Sequence, residues 1–512
     1  MAAYAAAVSL KNTIQCILQS SRISLVPPSP QILHPAYKAM CRLQKVLLKL
    51  DETGYSKIRT KVNALDEQIK EAIWEFEDLL ESHFYDQILQ QLERDHSSFS
   101  LDLQTLRERV DNFIERVTVM KTEYDTELLS MPEEESEPIS SRIDFCGINS
   151  KRFGSCNCYK FTKDNILAEG QGICFSVIGM AGVGKTTLAK KVFDDPAIQR
   201  HFELRAWVKV GRKCESNETL RCILAQLDPS TRDQMLNQGE DGDDDFEKLF
   251  GVLEERLKDK KCLIVMDDVW EWDRQLMDRF PKENVRVLLT SRLRMKEFPF
   301  LRMCLLDEKE SKKLLGEKLF GEHGFPPHLE KLGEKIVKKC EGIPLLIVTV
   351  AELLSKEDIT PQYWTEVVEK QHNSVFVDAY DQISEVLFPS YEYLHQHLKM
   401  FFLYLGAYPP YSDIHKSEFE HQMIAEGFLE PIREHTIQKY IQNCLAMLHD
   451  RYNLIIHKGN VNSWFSQHKL CVPSCWQHVC KKEASKTKFL HVLQSCDEVM
   501  KDQRRLCAHW NT

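Results

Sequence analysis

The sequence predicts a multidomain protein of mixed class: α in its first quarter, α/β with a parallel sheet in the middle, and mainly α again in the last two fifths. Two patterns carry that expectation. Residues 1 to about 128 show helical stripes with few breakers. Four short apolar runs, 173–178, 206–210, 262–266 and 285–290, then alternate with helix-length amphipathic segments, as buried parallel strands crossed by helices do. The length of 512 residues allows three or four domains at about 150 residues each.

In the first region Met40, Leu43, Leu47 and Leu50 share one helical stripe. Ile58, Val62, Leu65, Ile69, Ile73, Phe76 and Leu80 form a longer one, and Leu103, Leu106, Val110, Phe113, Val117 and Met120 alternate steps of three and four. Such helices need each other to bury their stripes, so a four-helix bundle is expected over 1–130. Four prolines at 27, 28, 30 and 35 predict a loop between the first two helices. Glu77, Asp78 and Glu81 are expected on the solvent side of their helix, opposite Phe76 and Leu80. The acidic stretch Glu133, Glu134, Glu135 and Glu137, bounded by Pro132 and Pro138, reads as a solvated linker. The acidic run 241–245 reads as a surface loop. From Leu301 the pattern is helical again, with a candidate strand pair at 453–456 and 468–472.

Lys plus Arg total 67 against 77 Asp plus Glu, a net charge of −10, which argues against a nucleic-acid binder working through bulk electrostatics. Apolar residues make up 43% and charged residues 28%, ordinary for a globular chain and unlike a disordered one. The longest apolar stretch, 343–354, is broken by Glu352, so no membrane span is expected. The Ala-rich start lacks the basic segment of a signal peptide. Seventeen cysteines without framework spacing read as reduced, intracellular thiols.

The strongest local feature is Gly179-Met180-Ala181-Gly182-Val183-Gly184-Lys185-Thr186-Thr187, a complete G-x-x-x-x-G-K-[ST] match placed between a strand-like run and a helix-like one. The glycines let the backbone curl so that its N–H groups face phosphates, and the helix N-terminus adds a favourable dipole. Gly179, Gly182, Val183, Gly184 and Thr187 would form the cradle, Lys185 would contact the β- and γ-phosphates, and the Thr186 hydroxyl would bind Mg²⁺. The run 262–266 ends in Asp267-Asp268. Asp267 would serve the metal through water and Asp268 would lie near the terminal phosphate, as the one candidate catalytic group. Aspartate is shorter than the glutamate base of many ATPases, so hydrolysis is expected to be slow. Arg292, at the tip of the run 285–290, could sense the terminal phosphate. Cys471, Cys475, His478 and Cys480 lack a paired zinc frame, and Cys156 and Cys158 fare no better.

The order of these motifs resembles the plant coiled-coil NLR immune receptors through their NB-ARC module, most closely their late-blight-resistance type. The similar stretches are Phe76-Glu77-Asp78-Leu79-Leu80-Glu81, the phosphate loop 179–187, Leu263 to Trp270 (LIVMDDVW), Val287 to Arg292 (VLLTSR), Gly342-Ile343-Pro344-Leu345, Phe402-Leu403-Tyr404-Leu405-Gly406-Ala407 and Ile424-Ala425-Glu426-Gly427-Phe428. The resemblance implies a coiled-coil bundle at 1–130, a linker at 131–160, a P-loop nucleotide-binding domain at 161–300, a helical domain at 301–385, a winged-helix domain at 386–480 and a tail at 481–512.

It further implies an ADP/ATP switch with Mg²⁺, in which Lys185 and Thr186 bind phosphate and metal, Asp267 serves the metal, Arg292 senses the terminal phosphate and Pro344 packs on adenine. The acidic patch at 77–81 would dock on a basic surface of another domain. Partners would be other receptors of the family or further copies of this chain, with a pathogen effector or a guarded host protein as the recognised molecule. The implied location is cytoplasmic, peripheral at the plasma membrane. Three departures stand out. Val472-Pro473-Ser474 occupies the place of the family's Met-His-Asp trio, while Leu448-His449-Asp450 comes too early to be it. No leucine-rich period occurs. No acid precedes Asp51, so a pore built from the first helix would lack a cation-attracting ring. A non-switching scaffold that binds other receptors is the first alternative, and an active P-loop ATPase the second.

Overall fold

The computed structural model describes residues 2–54, 57–92, 99–133, 139–142, 156–168, 173–212, 215–228, 230, 244–295, 298–357, 359–370, 373–429, 434–458, 469–493 and 505–508. Most of the expected linker, the start of the acidic run 241–245 and residue 468 of the strand pair lie outside them. The chain divides into two compact units, one of Met1–Glu134, Tyr393–His449 and Ile455–Thr512, the other of Glu135–Glu392 with Asp450–Leu454.

The first unit begins with four helices, α1 (Ala2–Gln19), α2 (Ser29–Leu48), α3 (Thr60–Leu92) and α4 (Arg107–Ser130). Their stripes interlock in one core, with Phe76 of α3 stacked on Phe113 of α4 at 4.0 Å between ring centroids. Two local readings change. The prolines do not make one long loop: α2 starts at Ser29, with Pro30 in its first turn and Pro35 inside it. A proline in the first turn removes an N–H that has no helical partner anyway, so only Pro35 costs a hydrogen bond. The preceding residues instead form a short strand, β1 (Ile23–Leu25), parallel to β2 (Phe99–Leu101). Ile58 lies before α3 and is exposed, its N–H bonded to Pro132 O at 2.8 Å.

The acidic patch also differs from expectation. Asp78 and Glu81 are exposed, but Glu77 is buried and accepts a hydrogen bond from the Ser9 hydroxyl of α1 at 3.1 Å. Position 77 follows the stripe residue Phe76 by one step, and α1 covers that flank of α3 as well, so the buried arc is wider than a simple stripe.

The same unit holds a three-stranded antiparallel sheet (Ile414–His415, Lys469–Cys471, Ile456–Lys458, in that spatial order) adjoining the helix Lys416–Ala425, and the helices Gln396–Tyr404 and Ser474–Lys486 pack on each other through Phe402 and Trp476. The bundle is tied to this part by polar contacts. Asp51 accepts the Gln396 N–H on both carboxylate oxygens at 3.0 Å, Asn12 Nδ2 donates to Gly427 O at 2.7 Å, and Lys488 pairs with Glu71 at 3.2 Å. Pro473 is the N-cap of the helix Ser474–Lys486, and Val472, Pro473 and Ser474 are all buried.

The second unit is built on a parallel sheet of β3 (Cys174–Ile178), β4 (Leu204–Lys209), β5 (Cys262–Asp267), β6 (Val285–Ser291) and β7 (Phe300–Arg302), in the spatial order β4-β5-β6-β3-β7. All of β3 and β5 is buried, as continuous apolar runs in a parallel sheet should be. β7 was not legible: three residues directly after Pro299 make no run. Helices Glu308–Phe320, Glu330–Lys339, Pro344–Leu354, Pro361–Glu369 and Ser374–Glu392 follow. The last runs through the expected boundary at 385/386 with Pro389 inside it, and β7 runs through the one at 300/301. No described helix is long and apolar enough to cross a membrane.

Candidate functional site

Parallel strands present their C-terminal ends on one edge of a sheet, and a crevice there is where such folds bind ligands. On that edge the second unit holds a cavity of about 680 Å³. The phosphate-loop residues Gly182, Val183, Gly184, Lys185, Thr186 and Thr187 line it, as do Asp267, Asp268, Arg292 and Pro344. Ten of the sequence-selected residues thus meet in one place. Gly179 is not among the lining residues, and its carbonyl accepts a hydrogen bond from Lys185 Nζ.

The loop leaves β3 at Gly179 and enters the helix Lys185–Phe193 through Gly184, with φ of +77° at Gly182 and +96° at Gly184. Side-chain-bearing residues adopt that region at a cost. Gly182 has a second constraint: a Cβ there would stand 2.7 Å from Leu345 Cβ, and its carbonyl accepts the Leu345 N–H at 3.1 Å. Gly342, at φ +74°, lies against Leu306, whose carbonyl oxygen would be 2.3 Å from an added Cβ. The Gly-Ile-Pro-Leu stretch therefore brings the helix Pro344–Leu354 onto the phosphate loop, with Pro344 in its first turn.

Lys185 is buried, and its Nζ donates to Gly179 O and Met180 O at 2.9 Å each. Burial pulls its pKa down to about 8, assisted by the Arg292 charge and partly opposed by Asp268 and Asp267. Thr186 Oγ1 donates to Asp267 Oδ1 at 2.9 Å, and Thr290 Oγ1 donates to the same oxygen at 2.6 Å. Burial raises the Asp267 pKa, and these two hydroxyls oppose the rise. Thr290 also accepts the Asp268 N–H at 2.9 Å, which fixes Asp268 at φ +55°, a left-handed conformation for a non-glycine residue.

Arg292 Nε donates to Asp268 Oδ1 at 3.2 Å, while its Nη1 donates to Val386 O at 2.6 Å and contacts Ser390 Oγ at 3.2 Å. Its guanidinium also lies over Trp270, 5.0 Å from the ring centroid. The arginine therefore bridges the end of β6, the acidic pair and the helix Ser374–Glu392. Residues the sequence reading did not select include Lys209 at the end of β4, Leu306, Leu345 and Val348, all lining the cavity. A lysine inside the apolar run Ala206-Trp207-Val208-Lys209-Val210 was the available signal for the first. Asp450, of the early Leu-His-Asp, pairs with Arg302 at 3.6 Å, and Asn453 Nδ2 donates to Arg292 O at 2.9 Å.

A glycine loop opening a helix on a parallel sheet, with a buried lysine and a threonine–aspartate pair, defines a P-loop nucleotide-binding module. Residues 162–322 match the NB-ARC domain. The chain is 30% identical over 353 residues to a putative disease resistance protein of Arabidopsis thaliana, covering 63% of this chain and 40% of that protein. It is also 30% identical over 296 residues to the disease resistance protein RPP13 of Arabidopsis thaliana (55% of this chain, 35% of that one). Against a putative late blight resistance protein homolog of Solanum demissum the identity is 30% over 336 residues, 63% and 26% of the two chains. The chain spans less than half the length of each of these relatives.

Proposed function

We propose that this chain is an ADP/ATP-binding switch of plant immune signalling. The observation that carries the reading is the convergence of Lys185, Thr186, Asp267, Asp268 and Arg292 on one cavity of nucleotide size. Loop N–H groups and Lys185 would hold the phosphates, Pro344 and its apolar neighbours would receive the base, and Arg292 would sense the terminal phosphate. Thr186 and Asp267 offer adjacent hard oxygen donors at the loop's edge, the donor set Mg²⁺ takes. When bound there the ion would neutralise phosphate charge. Asp268 is tied to Arg292, which supports a poor general base and slow turnover.

In the switch Arg292 is the reporter, because it joins the acidic pair to the helix Ser374–Glu392 and a terminal phosphate would compete for it. Oligomerisation with its own kind or with related receptors, at the cytoplasmic face of the plasma membrane, is the output we assign, with the bundle 1–130 as the signalling part. Mass spectrometry of the nucleotide released on denaturing the purified chain tests this. ADP at near one equivalent is expected, and an empty site would favour a non-switching scaffold.

A further inference from the structure

Lys209 ends β4 beside the acidic pair. In the register of β4 on β5 its Cα is the partner of Asp267, and its exposed side chain lines the cavity. Its backbone is held in place from two sides. The Val210 N–H donates to Asp267 O at 2.8 Å, and the buried Arg142 donates to Val210 O at 2.7 Å while pairing with Glu218 at 3.2 Å. A long cationic side chain thus starts from a fixed point, about one strand spacing of 4.8 Å from the aspartate that Thr186 contacts.

The other cavity cations approach from other directions. Lys185 is buried against two loop carbonyls on the β3 side. Lys313 and Lys318 share the helix Glu308–Phe320 with two lining glutamates, and Lys313 pairs with Glu317 at 3.9 Å. Arg292 reaches the acids from β6. Because β5 lies between β4 and β6, Lys209 and Arg292 flank Asp267 and Asp268 from opposite sides. A diphosphate can be held by the loop and Lys185. A third phosphate lying past the loop, toward the end of β5, would add negative charge beside two carboxylates and would need cations there.

Resting on the nucleotide-switch reading, we propose that Lys209 is a specificity-determining residue whose ammonium takes the terminal phosphate of a nucleoside triphosphate from the side opposite Arg292. It sets how strongly the triphosphate is preferred to the diphosphate.

The test is the equilibrium affinity of the full chain for ADP and for ATP, each with Mg²⁺, in the wild type, Lys209→Gln and Lys209→Arg. One charge-assisted contact, screened at the cavity mouth, predicts ATP affinity weaker by at least about fivefold in Lys209→Gln. ADP affinity should stay within about twofold, and Lys209→Arg should retain most ATP binding. Equal loss for both nucleotides would mean that Lys209 acts only through Asp267, and it would overturn the proposal, as would no loss for either. A wild type that binds neither nucleotide would instead overturn the switch reading and this inference with it. Normal wild-type binding with an unaltered Lys209→Gln sinks the inference alone.

Discussion

Thr186 and Asp267 lie 81 positions apart in the chain and meet at 2.9 Å, hydroxyl to carboxylate. The contact joins the first turn of the helix after β3 to the end of β5. Thr290 of β6 bonds the same carboxylate oxygen at 2.6 Å, so three elements of the sheet edge share one acceptor. Such a network fixes the distance between loop and acidic pair before any ligand arrives, which is preorganisation for phosphate and metal.

Lys185→Arg tests the phosphate loop directly. The ammonium fits between two carbonyls 2.9 Å away. A planar guanidinium is larger and cannot occupy that buried point without moving the loop. ADP affinity should fall by about tenfold or more, while the far-ultraviolet circular dichroism stays unchanged. An affinity within about twofold of wild type would remove Lys185 from the site.

The same lysine predicts a proton effect. Its pKa is lowered to about 8 by burial, from 10.5 in the unfolded chain. Between these values the unfolded state binds more protons, so stability rises with pH across that window, and the full penalty of charging the lysine applies below it. A bound phosphate favours the charged form, so ADP binding near pH 8.5 should take up part of a proton and should weaken as pH rises to about 10. Calorimetry in two buffers of different ionisation enthalpy measures the uptake, and Lys185→Arg should abolish it.

How much was legible follows from what each feature needs. The phosphate loop and Asp267 were readable because their chemistry is compressed into a few consecutive residues after an apolar run. Gly182 against Leu345 was not, since nothing local to either reveals a 2.7 Å limit set across 163 residues. β7 is too short to show a period, and Pro30 and Pro35 looked like breakers because a first-turn proline and an interior one differ only by where the helix begins. Lys209 and Arg292 flank the acids through strand order, and strand order is not written in any single strand.

Gly182→Ala separates backbone strain from steric conflict. The left-handed φ costs about 1 kcal/mol or more for alanine, and the Cβ would also collide with Leu345. The midpoint of thermal unfolding should fall and ADP affinity should weaken by about tenfold. The nearest atom is Leu345 Cβ, which alanine would keep, so adding Leu345→Gly should recover the steric part alone. Full recovery in the double variant would show that the positive φ carries no cost, and no recovery would show that the helix Pro344–Leu354 does not limit the loop.

The final prediction concerns the acidic stretch of α3. Glu77 is buried under α1 and bonded to Ser9, whereas Asp78 is exposed. Glu77→Lys places an ammonium where a carboxylate accepted a hydroxyl, leaving a buried charge without its acceptor, a change that costs about 3 kcal/mol or more. Asp78→Lys changes a solvated position and should stay within about 0.5 kcal/mol. Ser9→Ala, which leaves the carboxylate in place, should cost about 1 kcal/mol. Urea unfolding of the full chain, followed by circular dichroism, ranks the three. The order expected is Glu77→Lys far below Ser9→Ala, with Asp78→Lys close to wild type. Equal effects at 77 and 78 would mean that both face solvent and that the stretch is a uniform acidic surface. The expected order instead makes Glu77 a tether between α1 and α3, leaving Asp78 and Glu81 as the only members of the trio placed to meet a partner.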